Sequence, residues 1–113
     1  MTASRPEHRA LAEALRYRVV EGRGVSDHAT RKAAADRAAG GPAMAAPYDD
    51  LARQIGERSH RVTDAQVESV VQAAGTEKAA FEIIAAAALG AGLVRWRLAV
   101  KALDEASDAS TGN

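Results

Sequence analysis

Apolar residues recur at three-and-four spacing through residues 62–96, VTDAQVESVVQAAGTEKAAFEIIAAAALGAGLVRW, and this period predicts two consecutive helices rather than strands. Thr63 followed by Gln66 is a capping box, in which hydroxyl and amide oxygens accept backbone N–H groups that a helix start leaves unpaired. Val67, Val70, Val71 and Ala74 form one apolar stripe, Gly75 supplies the left-handed residue that ends many helices, and Thr76 caps the next helix. Across 79–94 the only charge is Glu82, so this helix is apolar nearly all round and is expected to be buried by other helices or by a second subunit. Small residues at Ala85, Ala88, Gly90, Ala91 and Gly92 predict close backbone approach, and Ala88→Leu is expected to overpack by about 1–3 kcal/mol.

The rest of the chain reads as shorter helices. Ser4 to Glu7 is a second capping box with Pro6 in the first turn, and Leu11, Leu15 and Val19 carry a first helix over about 5 to 21, ended by Gly22 and Gly24. Ser26 or Asp27 caps a second helix through Ala39, mostly alanine, with Arg31, Lys32, Asp36 and Arg37 expected to face water. Gly40-Gly41-Pro42 ends it. Pro47 opens a third helix with Asp49 and Asp50 near its positive end and Leu51, Ala52 and Ile55 inward. Residues 56–61 form a charged junction, and 106–113 have the composition of a flexible tail. No period-two pattern is long enough for a strand, and there is no repeat or coiled-coil heptad. The expectation is one all-α domain over 1–105, divided into an N-terminal extension over 5–41 and a core over 47–105.

Composition narrows the function classes. Fifteen basic and fifteen acidic residues sum to zero; residues 1–47 hold eight against five and the remainder seven against ten, too small a skew to name a polyanionic partner. The absence of cysteine removes disulfides, thiolate metal sites and thiol redox chemistry, and fits a reducing cytoplasm. MTASRPEHR lacks the apolar run of a secretion signal, and sixteen residues over 79–94 fall short of a bilayer span, so a soluble cytoplasmic protein without a membrane partner is expected.

The run RVTDAQVESVVQAAGTEKAAFEIIAAAALGAGLVRWRLAVKAL resembles the helical core of the carboxymuconolactone decarboxylase and alkylhydroperoxidase-D-like superfamily. The resemblance covers roughly 48–103. It is carried by the Ala-Gly turn after a short helix, by Phe81-Glu82 and by an AAALGAG-type helix reaching Arg95; residues 7–41 resemble, more weakly, the extension of small members. It implies an all-helical bundle assembling with copies of itself as a trimer or hexamer. The redox branch of this family carries Cys-x-x-Cys-x-x-x-His ahead of the turn, and those positions fall on His60, Thr63 and Val67 here. Thiol peroxidase chemistry needs a thiolate, so that mechanism is excluded, whereas the decarboxylase branch stays open.

His60, in the Arg58-Ser59-His60-Arg61 junction where the family places its reaction centre, is of the residue type most used for acid or base catalysis near neutral pH; the competing reading is a solvated loop histidine. Arg58 and Arg61 would hold a substrate carboxylate, or simply form a charged turn. Glu82 needs donors within its apolar helix. Three readings compete for it: a structural pair with Arg95, Arg61 or another subunit's arginine, which is favoured; a catalytic carboxylate beside His60; or a position helped by the helix dipole. Tyr48 and Trp96 serve equally as interface anchors or stacking groups. His8 and His28 lack a second ligand at i+3 or i+4, so no metal site and no cofactor are expected. The leading function is a small member of this superfamily binding or decarboxylating a carboxylated lactone or keto acid. In that reading, His60 or Glu82 would protonate the carbon that loses CO2. The alternative is a non-catalytic oligomeric scaffold. A helix-turn-helix over 63–89 is disfavoured, because Glu77, Lys78 and Glu82 among alanines give little to read DNA with, and no nucleic-acid partner is expected.

Overall fold

The computed structural model describes residues 4–111, with side chains from Pro6 to Ala109. Five α-helices follow one another: α1 (Ser4–Arg16), α2 (His28–Ala38), α3 (Tyr48–Arg58), α4 (Asp64–Ala74) and α5 (Glu77–Thr111). A π turn, Tyr17–Glu21, extends α1, and a 3₁₀ turn, Ser59–Arg61, follows α3. The described residues contain no strand, as the absence of period-two patterning implies.

Local chemistry sets most boundaries. Asp27 accepts from Thr30 N–H to cap α2, and Gly40 at φ +100° leads the chain out of it. Thr63 and Gln66 form the reciprocal capping box at α4, Gly75 closes that helix at φ +93°, and Thr76 Oγ1 accepts from Ala79 N–H at the start of α5. Pro47 precedes α3 through a cis peptide bond with Ala46. The Ser4 side chain, and with it the first capping box, lies outside the described residues.

α5 is the spine. Its first half is flanked by α2, α3 and α4, and the core unites Ala34, Leu51, Ile55, Val70, Ile83 and Ala87. The core void is about 10 Å³, at the lower limit for one water molecule. Backbones meet closely where a side chain would collide: a Cβ on Gly90 would strike the Ala35 carbonyl, and one on Gly56 the Ala38 carbonyl. The expected close-packed alanine is displaced by one register step. Ala88 is exposed, whereas Ala86, Ala87 and Ala91 are buried, because α2 and α3 pack on the other side of the helix.

Two further features depart from expectation. Arg31 is 3% exposed rather than turned to water, since it shares the inward face of α2 with Ala34, Ala35 and Ala38. α5 continues to Thr111, so residues 106–111 join the helix. By length and composition it is long and apolar enough to cross a membrane, and 28% of its most apolar stretch is buried against the other helices. The radius of gyration, 16.3 Å, exceeds the ~13 Å of a rounded domain of this length, because α5 runs on beyond the bundle.

Candidate functional site

Glu82, on the second turn of α5, meets the loop that joins the π turn to α2. Val25 N–H donates to Oε2 at 3.1 Å, and Ser26 donates to Oε1 from its backbone N–H at 2.8 Å and its hydroxyl at 2.6 Å. Arg31 Nη1 stands 3.5 Å from the same oxygen. The guanidinium also gives Nε–H to the Val20 carbonyl at 3.2 Å and Nη2–H to the Gly22 carbonyl at 2.5 Å. Gly24 leaves this space open, since a Cβ there would displace the Arg31 guanidinium and the Glu82 carboxylate from their present contact. The bonds from Ser26, its hydroxyl first, outweigh burial and hold the Glu82 carboxyl at about 2; Val25 N–H and Arg31 add to the effect. Glu82 therefore stays ionised near neutral pH, with both oxygens engaged by the fold.

His60, Arg58 and Arg61 lie together on the exposed turn after α3. None of the three side chains has a hydrogen bond or ion pair among the described residues. They are not brought to Glu82. The end of α3 is tied to α5 by Arg95, which donates to the Gly56 carbonyl, and Arg95 is ~20 Å along α5 from Glu82 at 1.5 Å per residue. The arginine that meets Glu82 is thus Arg31, while Arg95 serves a backbone carbonyl and Arg61 stays on the surface turn. Trp96 is half-buried under α1, and Tyr48 packs against the core.

Arg31, Ser26 and Gly24 escaped the sequence-based candidates. A signal was present: Arg31, Ala34, Ala35 and Ala38 fall at i, i+3, i+4 and i+7, the spacing of a buried face. A second clip fixes α2 to α3, where Arg37 Nε donates to Asp49 Oδ1 at 2.8 Å and Met44 N–H donates to the same oxygen at 3.0 Å. The Met44 bond, with Arg37 supporting it against desolvation, lowers the Asp49 pKa.

Two of the surface clefts lie between α5 and the segment of α1 with its π turn. One, about 280 Å³, is lined by His8, Leu11, Ala12, Leu15, Leu93 and Trp96. The other, about 180 Å³, is lined by Arg18, Val19, Arg23, Arg31, Phe81, Glu82 and Ala85. Neither reaches His60. Among the described residues no group of three or more His, Cys, Asp or Glu side chains is arranged to hold a metal ion. No family model, no curated protein and no solved structure matches the chain.

Proposed function

We propose that this chain is a non-catalytic helical scaffold, of the carboxymuconolactone decarboxylase-like type that its sequence resembles, which associates with copies of itself. The observation that carries the reading is the separation of the candidate acid groups. Glu82 is spent on holding the loop before α2, and its pKa of about 2 makes it a poor proton donor or acceptor near neutral pH. His60 stands on an exposed turn, lines neither of the two clefts described above, and makes no hydrogen bond or ion pair among the described residues. A decarboxylase needs an acid beside the carbon that loses CO2: Glu82 borders a cleft of about 180 Å³ but is ionised and engaged by the loop before α2, and His60 does not line that cleft.

Self-association is supported by the far half of α5, where Leu98 and Leu103 are 62% and 59% exposed. Burying such side chains in a helical interface stabilises by about 1.5–3 kcal/mol each. Light scattering on the purified chain is expected to give a mass of more than one subunit, shifting to the monomer in the Leu98→Asp/Leu103→Asp variant. In parallel, CO2 release from a small β-keto acid such as oxaloacetate is expected to match the buffer rate. A rate above buffer that His60→Ala abolishes would restore the decarboxylase reading, and a monomer at all concentrations would remove self-association.

A further inference from the structure

The two clefts along α5 share both walls. α1 and its π turn supply Leu11, Ala12 and Leu15 to one and Arg18 and Val19 to the other; α5 supplies Leu93 and Trp96 to one and Phe81 and Ala85 to the other. Between them α5 presents Ala88 and Gly92, both exposed, and the space a Gly92 side chain would take is open. At 100° per residue, Phe81, Ala85, Ala88, Gly92 and Trp96 fall on one strip of α5 without a charge. From Ala85, which lines the arginine end, to Trp96 the strip is ~17 Å long at 1.5 Å per residue, about the length of an extended twelve-carbon acyl chain.

One end of this lane is apolar and the other cationic. Arg18 and Arg23 are exposed and make no hydrogen bond or ion pair among the described residues. The one carboxylate lining that cleft, Glu82, already faces Arg31 and the Val25 and Ser26 donors, and Glu21, at the end of the π turn, stands 4.0 Å from His28 Nε2. Two guanidinium groups are therefore left to meet an incoming anion, and charge-assisted, bidentate bonds to a carboxylate are what this side chain forms best. Phe81, 70% exposed at the rim, and Trp96 at the far end give apolar surface to cover.

We propose that the lane between α1 and α5 binds a free long-chain carboxylate, its head held by Arg18 and Arg23 and its chain lying over Ala85, Ala88, Gly92 and Trp96. Methylenes removed from water favour binding in proportion to their number, so the chain supplies affinity and the arginines supply orientation. The site is separate from the Leu98 and Leu103 surface invoked for self-association, so either reading can fail without the other.

Trp96 is the single tryptophan, and its emission reports directly on the apolar end. The full chain is titrated with dodecanoate below its micelle-forming concentration. A saturable change in Trp96 emission is expected, with dodecanol weaker by about tenfold and acetate without effect. Arg18→Ala/Arg23→Ala is expected to weaken dodecanoate by about tenfold or more. So is Gly92→Glu, which places a carboxylate in the lane while favouring the helix, so that loss of binding there is not loss of fold. No saturable change with dodecanoate, or equal affinity in these variants, would overturn the proposal. It would equally fall if emission responded only to phosphatidylglycerol vesicles, which would make the lane a bilayer-facing surface. Emission that changed only with protein concentration would assign the lane to a second copy of the chain instead.

Discussion

Replacing Glu82 by Gln tests the loop clip with almost no change in shape. In the wild type the carboxylate accepts three bonds at 2.6–3.1 Å and faces Arg31, and its pKa falls from 4.5 to about 2. At 1.36 kcal/mol per pH unit that fall corresponds to about 3 kcal/mol of differential stabilisation, an upper bound. The side chain retains 18% exposure, and solvent screening reduces the contribution to about 1–2 kcal/mol. A depressed carboxylate contributes fully above its unfolded value, here 4.5, and the contribution is lost as pH falls towards 2. Urea unfolding followed by circular dichroism is the assay. Near neutral pH, Glu82→Gln is expected to be less stable by about 1–2 kcal/mol, and the gap should close between about pH 5 and pH 2 because the variant has no group to titrate there. A gap below about 0.5 kcal/mol at neutral pH, or one that stays constant on acidification, would refute the account of Glu82 as an ionised clip.

Three other substitutions probe packing and capping. Ala87→Leu, at a fully buried position, is expected to cost about 1–3 kcal/mol by overpacking, whereas Ala88→Leu, on the exposed side, should stay within about 0.5 kcal/mol of wild type in thermal unfolding. Gly90→Ala improves helix propensity by about 1 kcal/mol yet drives a methyl group into the Ala35 carbonyl, so a net loss of stability is expected; a rise in Tm would show that α2 and α5 can separate freely there. Thr63→Ala removes the acceptor for Gln66 N–H and is expected to cost about 1 kcal/mol in chemical denaturation, with no loss if solvent caps α4 equally well.

The helix ends were the most readable part of the chain, because a cap is a local matter of two or three residues. Thr63 with Gln66, Gly75, Thr76 and Asp27 all act where their side-chain chemistry places them. What alanine-rich sequence conceals is direction. In α2 and α5 the small residues run round much of the helix, so the pattern does not say which side is inward: Ala88 faces out and Arg31 faces in, the reverse of what composition suggests. Glu82 was expected to need donors, and it has them. Its partners lie 51 to 57 residues away in sequence, on a loop and helix whose approach to α5 depends on tertiary packing rather than on local period. His60, Arg58 and Arg61 were legible as a cluster because they are adjacent in the chain. Their separation from Glu82 follows from α3 ending beside Arg95, a long-range arrangement that no spacing encodes.

The length of α5 makes one continuous hydrogen-bonded rod serve two mechanical regimes. Its first turns are clasped on several sides, and amides there should exchange with deuterium only when the whole bundle opens. Past Trp96 most of the described side chains are exposed, and Arg97 reaches Glu13 of α1 at 3.2 Å, between two side chains that are both more than half exposed. Those later turns can unwind and rewind one residue at a time without disturbing the core, on the timescale of helix fraying rather than of unfolding. A helix so built behaves as an anchored base carrying a compliant tip. How many turns of α5 persist in solution is therefore set at the tip itself, by local helix propensity and contacts such as Arg97 with Glu13, and not by the core.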